Sequence, residues 1–143
     1  MKVGEIQFPV LVFDGECPLC RWWVNRWRHL TCGSVRYVPF QDLGQRGFLG
    51  VAPEAFAKAV HYIESPRQIS TGAEAAFRLL NGVGGWRRTP LWLYRRVPGV
   101  APFCEAMYRH VSRHRPALDR VRRAIVGDRT TVLLRCRCGD GEG

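Results

Sequence analysis

Residues 8–13 read Phe-Pro-Val-Leu-Val-Phe, a short unbroken apolar run ending at Asp14-Gly15. Bounded by turn residues, such a run predicts a strand buried on both faces. Pro18 then stands where a first helical residue would, directly after Cys17, a placement proline favours. Leu19, Trp23, Trp27 and Leu30 follow at helical spacing, with Arg21, Asn25 and Arg28 elsewhere on the wheel. Gly33 ends this helix. Residues 35–38 alternate and predict a second strand. Residues 41–52 hold three glycines and read as loop or short helix, and 53–57 as one helical turn. Residues 59–63 predict a third strand, 64–67 a turn, and 68–70 a short fourth strand that completes a hairpin. Thr71-x-x-Glu74 has the form of a capping box. Behind it Ala73, Ala76, Phe77 and Leu80 form an apolar stripe closed by Gly82.

Gly84-Gly85 marks a hinge, after which the pattern changes. Val100, Phe103, Cys104, Met107 and Val111 form another helical stripe. Pro116 starts a further helix running to Ile125 and closed by Gly127. Residues 130–134 read as a strand or a helical turn, and the Gly-Asp-Gly-Glu-Gly ending as a loose tail. The order strand, helix, strand, helix, strand, strand, helix, with Cys17-x-x-Cys20 after the first strand, is the thioredoxin pattern. The expected fold is therefore α/β, a thioredoxin-like three-layer arrangement with a small mixed sheet and additional C-terminal helices. Residues 1–127 are expected to form one domain, with an Arg-rich helical extension from about 86, and 128–143 a C-terminal segment.

Composition adds bounds. Apolar residues make up 46% of the 143, enough for one core. No apolar run approaches the roughly 18 residues of a membrane span, and the N-terminus does not read as a secretory signal, so a cytoplasmic location is expected. The net charge is +10, and all but Lys2 and Lys58 of the basic residues are Arg. Most of the excess lies in residues 86–137. Within it the stretch from Trp86 to Arg96, with Arg87, Arg88, Arg95 and Arg96 among Trp, Leu and Tyr, has the composition of an interfacial membrane segment. It equally resembles a nucleic-acid surface, or a segment that packs its aromatics inward. A peripheral contact with an anionic membrane surface is the partner expected, nucleic acid less so.

Cys17-Pro-Leu-Cys20 carries the chemistry. Dithiol exchange needs one thiolate that attacks and one thiol that resolves the mixed disulfide. Two intervening residues bring both sulfurs into one first turn, where unpaired N–H groups and the helix dipole favour thiolate. Thiols so placed have pKa values of roughly 3.5–7.5 rather than about 8.5. Cys17 is expected to be the nucleophile, nearer the helix end and solvent, and Cys20, partly buried, the resolver. The competing reading is half of a zinc site, completed by Cys136 and Cys138. Asp14, at the strand's C-terminal end, is placed either to relay the Cys20 proton or to form an Asx turn with Gly15. The dithiol is itself the redox group, so no organic cofactor is called for, and no metal. Cys136-Arg-Cys138 reads as a shuttle pair, a soft-metal pair or inert thiols. Cys104 reads as core and Cys32 as incidental. His110 and His114 are spaced for a metal but sit among Arg on a solvated face.

The stretch from Phe13 to Cys20, Phe-Asp-Gly-Glu-Cys-Pro-Leu-Cys, resembles the Asp-x-x-Cys-x-x-Cys signature of the DCC family of thiol-disulfide oxidoreductases. Gly72-Ala-Glu-Ala75 resembles that family's Gly-x-x-Ala segment. Tyr108-Arg-His-Val-Ser-Arg-His-Arg115 resembles its late Tyr…Arg-Asn-Arg segment, with His114 in the place of Asn. The resemblance covers roughly residues 8–118. It implies a thioredoxin-like fold, thiol-disulfide oxidoreductase activity, and Asp14, Cys17 and Cys20 as the functional residues. One departure from thioredoxins stands out. They carry a cis-proline before the third core strand, where it guides a substrate peptide, and no proline directly precedes Val60. A small-molecule or a dedicated protein substrate is therefore open. The remaining readings are a basic anion- or membrane-binding module with a vestigial dithiol and a zinc-stabilised interaction domain.

Overall fold

A computed structural model describes residues 7–44, 47–85 and 89–126. Four strands form one mixed sheet in the order β2-β1-β3-β4: β1 Val10–Phe13, β2 Arg36–Pro39, β3 His61–Ser65 and β4 Gln68–Thr71. β1 runs parallel to β2 and antiparallel to β3, and β3 is antiparallel to β4. Every residue of β1 is buried, as its unbroken apolar run requires of a strand with neighbours on both edges and layers on both faces. β3 begins two residues later than the sequence pattern suggests, because Ala59 and Val60 belong to the approach from the preceding helix.

The parallel β1–β2 pair is joined by α1, Pro18–Thr31. α2, Pro53–Lys58, and α3, Gly72–Val83, follow β2 and β4. α4 Thr89–Arg96, α5 Val100–Arg113 and α6 Arg115–Val126 extend the helical layer. This is the expected thioredoxin-like order with added C-terminal helices. One core face packs Leu11, Phe13, Val24, Tyr62, Ala75 and Leu79 between the sheet, α1 and α3. The other packs Val10, Val12, Val38, Phe48, Phe56 and Ile63.

Several helical faces are rotated from their predicted stripes. In α1 the innermost side chain is Val24, while Trp23 is 42% exposed; Trp23 instead stacks with Trp22 and Trp27 along the helix surface. In α3, Ala75 and Leu79 are fully buried, whereas Ala76, Phe77 and Leu80 of the predicted stripe line a cavity. α5 has no fully buried residue, and Phe103 is 66% exposed. Its apolar stripe therefore faces the cavity and solvent rather than a closed core, and Cys104 is half-buried on the cavity wall.

The capping box does not form. Thr71 is the last residue of β4, paired with His61, and its side chain makes no cap bond. The Glu74 N–H donates instead to Glu105 Oε1 of α5 at 3.2 Å, and the Glu74 carboxylate accepts from Arg78. Gly72 makes this docking possible: its φ is +61°, and a Cβ there would lie 2.7 Å from Glu105 Oε2. Residues 128–143, including Cys136, Cys138 and the predicted 130–134 element, lie outside the described residues, as do Arg87 and Arg88.

Candidate functional site

β1 ends by delivering Asp14 into a tight turn. Asp14 Oδ1 accepts the Glu16 N–H at 3.0 Å and Gln41 Nε2–H at 2.9 Å, so the Asx turn is formed. Gln41 closes the loop by accepting the Gly15 N–H through its Oε1 at 3.1 Å. A Cβ at Gly15 would lie 2.8 Å from that of Pro39, which lets the turn lie flat against β2. The far oxygen of Asp14, Oδ2, is 3.7 Å from the Arg115 guanidinium.

Directly after this turn Cys17 is the N-cap of α1, with extended backbone, and Pro18 follows in the first turn. The Cys17 sulfur does what an Asp or Ser oxygen does in most helices: it accepts the Cys20 N–H, at 3.3 Å. Its pKa is lowered to about 6, first by the neighbouring Cys20 thiol, then by the Cys20 N–H and the Arg115 charge, against the opposing effects of burial and Asp14. The Cys17 sulfur beside it, and burial, push Cys20 upward. The two thiols are thus strongly inequivalent, but not through exposure. Cys17 is only 9% exposed and Cys20 is half-buried, which corrects the expectation that Cys17 lies on the solvent side. What separates them in the geometry is the Cys20 N–H, which the Cys17 sulfur accepts at the head of the helix.

Arg115 is the residue sequence reasoning passed over, one Arg among many in the basic third. Standing at the start of α6, it donates to the Ala57 carbonyl at 3.1 Å and the Lys58 carbonyl at 2.8 Å, leans on Asp14, and lowers both thiols. Tyr108 of α5 lies beside it, its hydroxyl accepting the Val60 N–H at 2.9 Å. The only sequence signal for this pair was the late segment from Tyr108 to Arg115; Gln41 carried none. His114 within that segment is exposed, its Nδ1–H donating to the His110 carbonyl at the end of α5.

Behind Cys20 a cavity of about 390 Å³ opens between α1, α3, α5 and the start of β3. Phe13, Trp23, Phe77, Phe103 and Met107 contribute to its walls, and Asp14, Cys20, Tyr108 and Arg115 stand among the few polar groups on it. Cys32, expected to be an incidental thiol, is disulfide-bonded. Among the described residues no three His, Cys, Asp or Glu side chains form a metal-binding group, and no helix is long and apolar enough to cross a membrane.

Compared with known proteins, residues 11–121 match the family model of DCC1-like thiol-disulfide oxidoreductases. The match takes in the Asp14–Cys20 turn, the Gly72 segment and the Tyr108–Arg115 clamp. No curated protein and no solved structure matches the chain.

Proposed function

The chain belongs to the DCC1-like thiol-disulfide oxidoreductase family, and from that premise we propose that it exchanges electrons with a disulfide substrate through Cys17 as nucleophile and Cys20 as resolver. The observation that carries this reading is the Cys17 sulfur capping the head of α1. Cys17 accepts the Cys20 N–H at 3.3 Å and its pKa is lowered to about 6, so near pH 7 it is the sulfur that ionises. Cys17 thiolate attacks one sulfur of the substrate disulfide, and the other leaves as thiolate and takes up a proton. Cys20 then loses its proton and attacks Cys17 in the mixed disulfide, releasing the second substrate thiol and leaving the Cys17–Cys20 disulfide. Asp14 acts on this sequence by fixing the turn and anchoring Arg115; its charge opposes ionisation of both thiols, and its part in the Cys20 step is to accept the proton as a base.

The test is trapping. A Cys20→Ser protein accumulates mixed disulfides through Cys17, and a Cys17→Ser protein accumulates none. At pH 7, limiting iodoacetamide modifies Cys17 well before Cys20. Equal labelling of the two, or trapping through Cys20, overturns the assignment.

A peripheral contact with anionic membrane is a second reading, and it bears on where the enzyme works rather than on its chemistry. What supports it is the position of the exposed large apolar side chains among the described residues. All but Trp23 lie between Trp92 and Ile125, in the same third of the chain that carries the Arg excess.

A further inference from the structure

Resting on the redox reading above, the geometry points to a substrate class: we propose that the cavity behind Cys20 receives the apolar body of a low-molecular-weight disulfide, and that the dithiol exchanges with such molecules in preference to peptide disulfides.

Two independent observations meet here. The first is the cavity itself. Its size, about 390 Å³, lies within the range of small-molecule sites. Its walls are mainly aromatic and aliphatic, its polar groups include Cys20, Asp14, Tyr108 and Arg115, and Phe103 and Met107 keep its surround apolar where they reach solvent. A body lodged there brings its disulfide to the Cys20 edge of the cavity, beside the Cys17 sulfur that attacks it, which accepts the Cys20 N–H at 3.3 Å. A charged or strongly polar body would lose its hydration against these walls without recovering it.

The second concerns backbone. A peptide substrate held in extended form needs free N–H and C=O groups beside the thiols to pair with. The segment that would supply them leads from α2 into β3, with Ala59 and Val60 on the cavity wall. Its groups are already engaged. The Ala57 and Lys58 carbonyls accept from Arg115. The Ala59 carbonyl accepts from His61 Nδ1, and the Val60 carbonyl from the Gly72 N–H. The Ala59 N–H donates to Ala55 and the Val60 N–H to the Tyr108 hydroxyl. Tyr108 and Arg115 thus occupy the edge that a docked peptide would use, leaving the apolar cavity as the surface available for recognition.

The exchange is the one already written, with R–S–S–R′ as oxidant: the protein dithiol becomes a disulfide, and R–SH and R′–SH are released. The experiment compares two disulfides of like sulfur chemistry, bis(2-hydroxyethyl) disulfide and hexyl 2-hydroxyethyl disulfide, each normalised to its reaction with free dithiothreitol. A bovine insulin disulfide serves as the peptide. The full-length reduced protein is expected to favour the hexyl compound by about tenfold or more in kcat/KM, the direction in which burying methylenes acts, and to react more slowly still with insulin. Ala76→Trp, which fills the cavity, brings the hexyl preference towards one. Phe103→Glu, at an exposed site that tolerates a charge, does the same if the first variant fails to fold. A hexyl preference below twofold, a preference that survives both substitutions, or faster reaction with insulin overturns the proposal. Equilibration of the dithiol with a glutathione buffer, followed in the same protein, separates the two levels of the argument. A dithiol that equilibrates but shows no apolar preference sinks the substrate class alone. One that never equilibrates sinks the redox reading and the substrate class with it.

Discussion

Arg115 shows that a distant part of the chain can add to the setting of a thiol's reactivity. Cys17, Cys20 and Asp14 were legible in the sequence because their spacing is local: a strand end, a turn and a first helical turn fix three side chains within seven residues of one another. That the Cys17 sulfur accepts the Cys20 N–H follows from the same turn. Gln41 and Arg115 were not legible, because nothing near them in sequence says that they fold back onto Asp14. The guanidinium is one of several groups that lower Cys17, the Cys20 thiol being the largest, so its removal should have a moderate effect. Alkylation of Cys17 is expected to follow a single titration with a midpoint near 6, and Arg115→Gln to raise that midpoint, slowing the reaction at about pH 6 by roughly two- to fivefold. A pH profile unchanged by Arg115→Gln would assign the residue to tethering alone. His61 offers a second pH test. Buried in β3 against Phe56, it has a pKa held below 6.5 by desolvation. The unfolded chain therefore binds the proton first as pH falls, and stability present above about 6.5 is lost below it. Cys17 thiolate adds its own loss as pH falls from about 9 to about 6, which runs into this window, so the measurement belongs in a Cys17→Ser background. There the thermal midpoint should drop between about pH 7.5 and 5.5, and His61→Gln should flatten the slope.

The strands and α1–α3 could be placed from periodicity to within a few residues, since each buries a face against the sheet. α5 and α6 could be located but not oriented, and α4, Thr89–Arg96, was not placed as a helix. An apolar stripe on α5 reads the same whether it meets a core or lines a cavity, and only the partner element decides. The head of α3 makes the same point for capping. Thr71-x-x-Glu74 satisfies the local rule, yet β4 holds Thr71 in its ladder and Glu105 takes the Glu74 N–H from another helix. Glu105 also accepts the Tyr94 hydroxyl, so one carboxylate ties α3, α4 and α5 together. Glu105→Ala is expected to cost about 1 kcal/mol or somewhat more in denaturant unfolding, the usual range for a lost helix cap. Gly72→Ala should cost about as much or more, since it adds a left-handed alanine to a displaced Glu105. Leu79→Ala, on the face of α3 that meets the sheet, should cost about 3 kcal/mol. A Glu105→Ala protein as stable as the parent would show that water replaces the carboxylate at no loss.

Over the molecule as a whole, charge and apolar exposure coincide on α4 to α6. Trp92 is 59% exposed and Ile125 78%, with Arg95 and Arg96 on the same segment as Trp92. Binding to vesicles containing phosphatidylserine is expected at low salt and should weaken steeply as salt approaches about 0.15 M, where charges are screened beyond about 8 Å. Replacing Arg95 and Arg96 with Gln should reduce it, and Trp92→Ala should reduce it further only if the indole enters the interface. No binding at low salt would leave the Arg excess as a solvated surface. The clamp that Arg115 makes on Asp14 and on the Ala57 and Lys58 carbonyls has a different consequence, one of timing. During synthesis the Cys17–Cys20 turn leaves the ribosome long before α6 does. Until the last helix docks, the emerging chain carries its dithiol without the guanidinium that favours the thiolate and without the tether that closes the loop ahead of β3. The nascent polypeptide therefore lacks one of the charges that lower the Cys17 pKa, and that contribution arrives only when α6 docks.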